Sequence, residues 1–358
     1  MKKVAKKIAQ FVNRDCLNIY LKLYYKRQLR NKFLIKSDYI DDKYKKDIKQ
    51  YWNQFSIKIN NDWHKWYSSR NGIKDVRYIP ENIFYCYIEP YYNRSDFCKA
   101  YEDKGLTNLW FPNIKRPRTI AKNMSGVCYD DELNPIFEEE IIKKCISREK
   151  IIIKPTIESG GGRNVCFIDS KDSCNIKQEI INAITEFKQD YIIQEVLEQH
   201  EDLKRINPES VNTLRIMSFF FKGKVHILSS ILRMGINASK VDNESAGGIS
   251  CGISEYGKLC RYAFDRYGKF FERHPQGFLF ENSVVPSYSD VIDIIKQEHI
   301  KLGHFKLISW DFAISSDGAP VLIEYNLRFQ GINFLQMDNG PLFGKLTDEV
   351  LEDVFGRR

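Results

Sequence analysis

The sequence LISWDFAISSDGAPVLIEYN, residues 307–326, consists of two apolar runs that flank a short polar segment. An Asp-Gly pair between such runs predicts a β-hairpin, because a type I′ turn needs positive φ at both central residues. If Asp317 and Gly318 form the two-residue loop, Asp311 lies directly opposite Glu324. Side chains of a strand alternate between its two faces, so Asn326 lies on the same face, diagonal to Asp311.

Two carboxylates that face each other across strands repel, so a cation is expected between them. Two carboxylates and an amide oxygen are hard ligands, which suit Mg²⁺ and leave coordination positions for substrate phosphates. The residues Asp311, Glu324 and Asn326 are therefore a candidate magnesium site. The alternative is a solvated polar face on an ordinary hairpin, and the hairpin alone does not decide between the two.

Length and composition indicate a globular protein. The chain has 358 residues, enough for two or three packed units, with 43% hydrophobic and 28% charged residues. Its apolar runs are all shorter than the roughly 20 residues that cross a bilayer, and the N-terminus lacks the apolar core of a signal peptide. The nine cysteines are scattered without a CxxC pair. They indicate reduced thiols in a cytoplasmic protein, not a disulfide framework or a zinc site.

Positive charge is concentrated at the N-terminus. Residues 1–36 contain eleven Lys and Arg and one acidic residue, which accounts for the net charge of +8. A nucleic-acid-binding protein would spread such charge over its folded domains, so we expect no nucleic-acid partner. Apolar residues recur at helical spacing in this segment, and a basic amphipathic helix indicates peripheral contact with the inner face of a membrane or with an acidic partner. The alternative is a helix packed on its own protein.

A glycine-rich loop follows a strand that ends in lysine. Lys154 closes the apolar run 151–154, and Gly160, Gly161 and Gly162 come shortly after it. Consecutive glycines let backbone N–H groups approach phosphate oxygens, and a lysine adds a positive charge. The loop is neither GxxxxGK[ST] nor GxGxxG. As an isolated signal it would equally suit a flexible surface loop.

Two later segments carry polar residues beside apolar runs. The run 191–197 leads into acidic residues, which could supply an apolar slot for adenine and an acceptor for ribose, although a buried strand that leaves the core would look the same. Arg215 and Arg233 lie on a second predicted hairpin, where Lys222-Gly223 is the turn. A two-residue loop puts the two arginines on opposite faces, whereas a three-residue loop would change the register and could bring them together.

The ordered set of motifs resembles the ATP-grasp superfamily, and most closely its sugar-transfer-associated family, found with polysaccharide biosynthesis genes. The segments that carry the resemblance are SGGGRNVCFID, IIQEVLEQHEDL, NPESVNTLRI, LRMG, VDNESAGGI, HPQGF, ISWDFAI, VLIEYN and QMDNGPLFG. They span about residues 110–348. The resemblance implies an α+β ATP-grasp fold, in which two α+β subdomains grip ATP between antiparallel sheets. The expected divisions are a basic helical segment 1–36, a region 37–118 of unclear fold, a small subdomain 119–199 with loop and hinge, and a C-terminal subdomain 200–358 with the metal site.

The resemblance also implies roles for individual residues. Those expected to bind ATP are Lys122 (with Lys115 as the alternative), Lys154, Gly160, Gly161, Gly162, the adenine hinge Glu195, Val196 and Leu197, and the ribose acceptor Glu201 or Asp202. Arg215 resembles the arginine that stabilises the transferred phosphoryl group, and Arg328 is a second catalytic candidate. Candidates for substrate recognition are Asn212, Arg233, Asn243 and His274. Asp311, Glu324 and Asn326 match the magnesium ligands, in agreement with the hairpin register.

The function that follows from the resemblance is ATP- and Mg²⁺-dependent ligation. A small-molecule carboxylate would be activated as an acylphosphate and transferred to an amine or hydroxyl of a sugar or glycan acceptor, in cell-surface polysaccharide (capsule) biosynthesis. Two alternatives share the same ATP site: a kinase of a sugar or glycan precursor, and a non-catalytic nucleotide-binding scaffold. Fold membership alone does not separate the three.

Overall fold

The computed structural model describes residues 19–30, 38–157, 164–171, 175–237, 239, 242 and 247–356. The glycine-rich loop residues Gly160, Gly161 and Gly162, the substrate candidate Asn243, and residues 1–18 and 31–36 of the basic segment lie outside the described residues.

The N-terminal region, for which the sequence shows no motif, is helical. Residues 19–30 are helical. They are followed by α1 (Asp42–Asn53), α2 (Asp62–Asn71), α3 (Glu81–Ile83), α4 (Glu89–Tyr92), α5 (Ser95–Tyr101) and α6 (Thr107–Trp110). A π-helical turn, Phe84–Ile88, joins α3 to α4, and a 3₁₀ turn, Lys104–Leu106, precedes α6. The Asp41 carboxylate begins α1 by accepting a hydrogen bond of 2.7 Å from the Tyr44 N–H.

A five-stranded antiparallel sheet follows. Its strands are β1 (Thr119–Met124), β2 (Val127–Tyr129), β3 (Lys150–Pro155), β4 (Cys166–Asp169) and β5 (Tyr191–Glu195), in the order β2-β1-β5-β3-β4. Helices α7 (Glu138–Ile146) and α8 (Ile176–Phe187) cover one face. The helical spacing of Ile176, Ile180, Ile181, Ile184 and Phe187 in the sequence predicts α8, and Ile180 and Ile184 are buried in the core of this unit.

The larger sheet has seven antiparallel strands. They are β6 (Thr213–Phe221), β7 (Lys224–Met234), β8 (Ile249–Ile253), β9 (Leu259–Asp265), β10 (Phe270–Phe271), β11 (Leu307–Ile314) and β12 (Pro320–Asn326), in the order β10-β9-β8-β7-β6-β11-β12. The remaining helices are α9 (Glu201–Lys204), α10 (Tyr288–His299), α11 (Ile332–Asn339) and α12 (Thr347–Phe355). Two antiparallel sheets with a helical N-terminal region confirm the predicted α+β fold class.

The β11–β12 hairpin reaches its predicted register by a different turn. Gly318 has φ of +81°, whereas Asp317 is not among the residues with positive φ, so the turn is not type I′. The Ser315 N–H donates to the Ala319 carbonyl at 3.0 Å, which makes a three-residue loop with glycine in the left-handed position. A bulge between Asp311 and Phe312 then restores the pairing of Asp311 with Glu324.

A bulge also decides the faces of the two arginines on the β6–β7 hairpin. Lys222 and Gly223 both have positive φ and form the predicted two-residue turn. The bulge between Met217 and Ser218 shifts the register, so that Arg233 pairs with Thr213 and lies on the same face as Arg215. The two-residue turn forms as predicted, but the bulge brings the two arginines to one face, an arrangement that the sequence links to a three-residue loop.

Both faces of the larger sheet are covered. The face that carries Arg215 also carries Met217, Phe219 and Phe221, which pack in one core with the N-terminal helices and α11. The opposite face packs against α10 in a second core that includes Leu214 and Trp310. The charged residues at the end of the first face are thus bordered by the N-terminal region. None of the helices in the described parts of the chain is long and apolar enough to cross a membrane.

Candidate functional site

A cleft lies between the two sheets. From the five-stranded sheet it is lined by Lys122, Lys154 and Gln194, and from the larger sheet by Leu322 and Ile323. The turn that contains Lys104 lines it as well, and its backbone N–H donates to the Thr156 carbonyl at 3.0 Å. The cleft therefore brings together lysines from separate parts of the chain, next to the strand that carries Glu324.

Asp311 is held between two arginines. Its carboxylate accepts from Arg215 Nε at 2.8 Å and from Arg215 Nη2 at 2.6 Å, a two-point contact across adjacent strands. Arg233 Nη1 lies 3.4 and 3.3 Å from the same two oxygens. Asp311 is 2% exposed. A carboxylate this deeply buried is stabilised by such pairing, because an unpaired buried charge is costly.

Arg233 also contacts a second carboxylate. Its Nη2 donates to Asp242 Oδ1 at 3.0 Å, and the other oxygen of Asp242 accepts from the Thr213 hydroxyl. Burial raises the pKa of Asp242, and Arg233 counteracts this effect. The buried network therefore runs from Thr213 through Asp242 and Arg233 to Asp311.

Glu324 lies among four positive side chains, of which Lys104 and Lys154 line the cleft. Its Oε2 lies 3.1 Å from Lys104 Nζ. Burial acts to raise the pKa of Glu324, but Lys104, Arg215, Lys154 and Arg233 outweigh it and lower the pKa to about 2. The cationic partner that the sequence requires between Asp311 and Glu324 is thus supplied in this structure by lysine and arginine side chains.

Lys154 extends from β3 into the same cleft. Burial lowers the pKa of its ammonium, and the neighbouring Lys104 lowers it further, to about 8, although Glu324 opposes the change. An ammonium that is desolvated beside another cation favours the approach of an anion. Lys154 and Lys104 together concentrate positive charge in this part of the cleft.

The candidate metal ligands share the end of the hairpin. Asn326 pairs with Ser309, and its Nδ2 is buried without a hydrogen-bond partner among the described residues. The donor types of Asp311, Glu324 and Asn326 fit Mg²⁺. The described residues contain no cluster of three or more His, Cys, Asp or Glu that could hold a metal ion. The oxygens of Asp311 are engaged by arginines, so a cation there would have to compete with them.

The two alternative phosphate lysines lie in different surroundings. Lys122 is 1% exposed, and its Nζ donates to Gly105 O, Asn108 Oδ1 and Asp131 O at 3.0 to 3.3 Å. Lys115 binds Asp317 and Ser315 at the turn of the β11–β12 hairpin. Lys122 reaches the rim of the cleft with its ammonium bound to protein acceptors, and Lys115 supports the turn.

The predicted hinge lies at the end of β5. Glu195 forms ion pairs with Arg148 at 3.0 Å and Arg118 at 3.5 Å. The Val196 N–H donates to the Lys150 carbonyl at 3.3 Å, and Leu197 follows it, half-buried. Glu201 and Asp202 are exposed at the start of α9, where Lys204 and Arg205 pair with them.

Two substrate candidates are engaged inside the protein. Asn212 is fully buried, and its Nδ2 donates to Gln199 Oε1 at 3.0 Å and to the Leu203 carbonyl at 2.9 Å. His274 is 2% exposed, with Nε2 2.9 Å from the Gly235 carbonyl, and burial lowers its pKa. The structure does not bring either side chain to the cleft; both stabilise loops near Arg233.

The N-terminal helices hold the loop that follows β12. Arg328 Nε donates to Glu102 Oε2 at 3.0 Å, and Glu102 Oε1 accepts from the Leu327 N–H at 2.8 Å. The Gly331 N–H donates to the Tyr85 hydroxyl at 3.0 Å. A Cβ added to Gly331 would lie 3.6 Å from Arg215 Nη1, so this loop passes directly beside the buried arginine pair.

Lys104 and Glu102 were missed by the sequence reasoning. Neither lies in a periodic run, and their partners are more than 200 residues further along the chain. The signal that could have found them is local: Asp103 accepts from the Gly105 N–H at 2.8 Å, so Asp-Lys-Gly is a turn that presents a lysine.

One protein family matches most of the chain. The sugar-transfer associated ATP-grasp family matches residues 85–350. None of the curated proteins compared with the chain matches it.

Solved structures show only distant likeness. A D-alanyl-alanine synthetase A from Vibrio cholerae has 12% identity and a TM-score of 0.41, covering 72% of this chain and 65% of its own. An L-amino acid ligase from Bacillus licheniformis has 13% identity and a TM-score of 0.40, covering 73% and 48%. A Campylobacter jejuni biotin carboxylase has 11% identity and a TM-score of 0.43, covering 74% and 47%. The chain spans less than two thirds of the length of these relatives.

Proposed function

Because the chain belongs to the sugar-transfer associated ATP-grasp family, we propose that it is an ATP- and Mg²⁺-dependent ligase. Its substrates would be a small-molecule carboxylate and an amine or hydroxyl of a sugar or glycan acceptor. The family name is the support for a role in making or modifying cell-surface polysaccharide.

The observation that carries the proposal is the pairing of carboxylates and cations at the cleft. Glu324 lies 3.1 Å from Lys104, and Asp311 is contacted by Arg215 and Arg233. Lysine and arginine bind phosphate oxygens, whereas paired carboxylates bind Mg²⁺. A purely structural ion network would not need Lys104 and Lys154 beside one glutamate.

The proposed reaction has two displacements. An oxygen of the substrate carboxylate attacks the γ-phosphorus of ATP, the bond to the bridging oxygen breaks, and ADP leaves. A nitrogen or oxygen of the acceptor then attacks the acyl carbon, loses its proton, and displaces phosphate. In this scheme Lys104 and Lys154 bind the phosphates, and Arg215 neutralises the transferred phosphoryl group. Asp311, Glu324 and Asn326 would hold Mg²⁺, which, when bound, offsets phosphate charge.

Product analysis tests the reaction. The purified protein is incubated with ATP, Mg²⁺ and a panel of amino acids and other carboxylates, with and without an amino sugar. The proposal expects ADP and free phosphate in equal amounts, together with an amide or ester. A phosphorylated sugar without free phosphate would instead establish a kinase. ATP binding without turnover for any substrate would support a scaffold.

Replacing Lys104 by methionine should weaken nucleotide binding, whereas replacing Lys122 by methionine should destabilise the fold. We expect Lys104→Met to weaken binding of a non-hydrolysable ATP analogue about tenfold, since one charge-assisted contact to phosphate is lost. Lys122→Met should instead lower the free energy of unfolding by roughly 1–3 kcal/mol, because three protein acceptors lose their donor. Calorimetric titration and urea unfolding measure the two effects. The reverse pattern would assign the phosphate role to Lys122.

We also propose that the helix 19–30 contacts an anionic membrane surface. Leu21 and Leu29 are buried against the protein. The side chains exposed on this helix are Ile19, Tyr20, Leu23, Tyr24, Lys26, Arg27 and Arg30. Apolar and aromatic groups beside lysine and arginine suit the headgroup region of a bilayer, where each basic residue contributes about 1 kcal/mol. The contact would bring the cleft close to a lipid-linked acceptor.

Charge reversal tests the membrane contact without uncovering the core. Lys26→Glu with Arg27→Glu is expected to reduce sedimentation with phosphatidylserine vesicles by at least about tenfold, because four units of charge change at the surface. Lys143→Glu with Lys177→Glu, exposed on α7 and α8, changes the net charge equally and should bind like the unaltered protein. Equal losses in both variants, or no binding of the unaltered protein at low salt, would exclude this helix as the contact.

A further inference from the structure

The Asp311 carboxylate is shared unequally by its two arginines. Arg215 approaches to 2.6 and 2.8 Å, whereas the contacts of Arg233 are longer, 3.3 and 3.4 Å. A carboxylate has about four lone-pair positions, and four contacts from three arginine nitrogens reach the two oxygens of Asp311. A cation can bind Asp311 only when at least one of these N–H groups moves away.

Arg233 is the arginine with a second anion within reach. Its Nη2 lies 3.0 Å from Asp242 Oδ1, which is shorter than the distances of 3.4 and 3.3 Å from its Nη1 to the two oxygens of Asp311. Asp242 is 8% exposed, and its second oxygen is fixed by the Thr213 hydroxyl. Thr213 and Arg233 are paired across β6 and β7, so the backbone register fixes the position of Asp242 relative to the guanidinium.

From this geometry we propose that Asp242 is a positioning residue that draws Arg233 away from Asp311, so that a divalent cation can bind Asp311 and Glu324. The inference rests on the proposed function, since that function supplies the need for Mg²⁺ at this hairpin. Asp242 itself does not contact the cation. It acts by holding the guanidinium that would otherwise neutralise the Asp311 carboxylate.

Arg215 is bound more closely to Asp311 than Arg233 is. Its Nε and Nη2 both bind Asp311 in the planar two-point geometry. The loop at Gly331 passes beside its third nitrogen, since a Cβ placed on that glycine would lie 3.6 Å from Arg215 Nη1. Moving Arg215 away from Asp311 would break two short contacts to that carboxylate, whereas moving Arg233 away from Asp311 breaks two long ones and can keep its bond to Asp242. Arg233 is therefore the arginine that a cation would displace from the Asp311 carboxylate.

The test measures Mn²⁺ binding to the full-length protein in the presence of ADP, by the loss of the free Mn²⁺ electron paramagnetic resonance signal. Asp242→Asn keeps the shape of the side chain and removes its charge. We expect about tenfold weaker Mn²⁺ binding, the effect of one charge-assisted hydrogen bond. Glu272→Gln, which removes the exposed partner of Arg261, makes the same change in net charge and should bind Mn²⁺ like the unaltered protein.

A double variant separates this mechanism from a general change of electrostatic potential. Arg233→Met removes the competitor, so Mn²⁺ should bind more tightly than in the unaltered protein. If Asp242 acts only through Arg233, adding Asp242→Asn to Arg233→Met has no further effect. A tenfold loss that persists in the double variant overturns the inference, as does unchanged binding in Asp242→Asn.

The outcomes also distinguish failure of the inference from failure of the proposed function. If the unaltered protein binds ADP and Mn²⁺, and Asp242→Asn binds Mn²⁺ with the same affinity, only the inference is wrong. If the unaltered protein binds neither ADP nor Mn²⁺, the inference and the proposed function are both wrong. If Asp242→Asn does not fold, Thr213→Val loosens Asp242 without changing any charge, and it should weaken Mn²⁺ binding in the same direction; unchanged binding in that variant overturns the inference.

Discussion

Glu324→Gln is expected to reduce ATP turnover at least about a hundredfold at saturating ATP and Mg²⁺, while the protein remains folded. The substitution keeps the shape of the side chain but removes one of the two carboxylates proposed for the metal, and it leaves Lys104 without its partner at 3.1 Å. Release of ADP, followed in a coupled assay, measures the effect. Turnover like that of the unaltered protein would exclude Glu324 from the metal site.

The same variant should also lose stability in a pH-dependent way. The pKa of Glu324 is lowered from 4.5 to about 2 in the folded protein, so its ionised form stabilises the fold above pH 4.5 and this contribution disappears as the pH falls towards 2. At pH 7 we expect the free energy of unfolding to fall by on the order of 2 kcal/mol, because solvent screens part of the effect at a side chain that is 29% exposed.

A matched control for Glu324→Gln is Glu349→Gln. Glu349 pairs with Lys222 on the surface, where the side chain of the lysine is 68% exposed. We expect normal turnover and almost unchanged stability. If both variants lose the same stability between pH 4.5 and 7, the effect reflects net charge and does not depend on the cations around Glu324.

Arg215→Met is expected to reduce turnover by two to three orders of magnitude, roughly the loss caused by removing one donor to a transition-state charge. It should also lower the free energy of unfolding by about 3 kcal/mol, since Asp311, 2% exposed, loses its two-point partner. Urea unfolding and the ADP assay measure the two changes. Arg215→Lys keeps the charge but not the planar fork, so we expect it to recover stability more than activity.

A second substitution separates the two consequences of losing Arg215. Adding Asp311→Asn to Arg215→Met removes the buried charge that lost its partner, so part of the stability should return. Turnover should stay low, because the metal ligand and the phosphoryl contact are then both absent. A double variant that regains activity would contradict the roles proposed for both residues.

The sequence predicted the pairing of Asp311 with Glu324, although the turn it relied on does not form. The loop has three residues, and the bulge after Asp311 compensates for the extra one. A similar bulge after Met217 moved Arg233 to the face of Arg215, which the turn alone could not indicate. Bulges depend on packing between strands and leave little trace in local sequence, so register near a turn is predictable only when none intervenes.

The contribution of the N-terminal region could not be predicted for a different reason. Lys104, Glu102 and Tyr85 reach the cleft or its bordering loop through the tertiary fold, without a periodic pattern or a motif of their own. The α8 helix was predictable because it depends on repeated apolar spacing, and the fold class followed from the resemblance to the family. The resemblance placed residues on strands, and only the structure shows that the N-terminal helices contact the loop after β12.

The contacts between Glu102 and the loop after β12 join residues 225 and 226 positions apart, and the Glu89–Gln330 contact joins residues 241 positions apart. During synthesis, the early helices therefore emerge long before their partners, and these contacts form only after β12 and the loop that follows it have left the ribosome. A nascent chain that stops before β12 would lack these contacts. The arrangement around Glu102 and Glu89 therefore forms late in synthesis, after most of the chain printed here has been made.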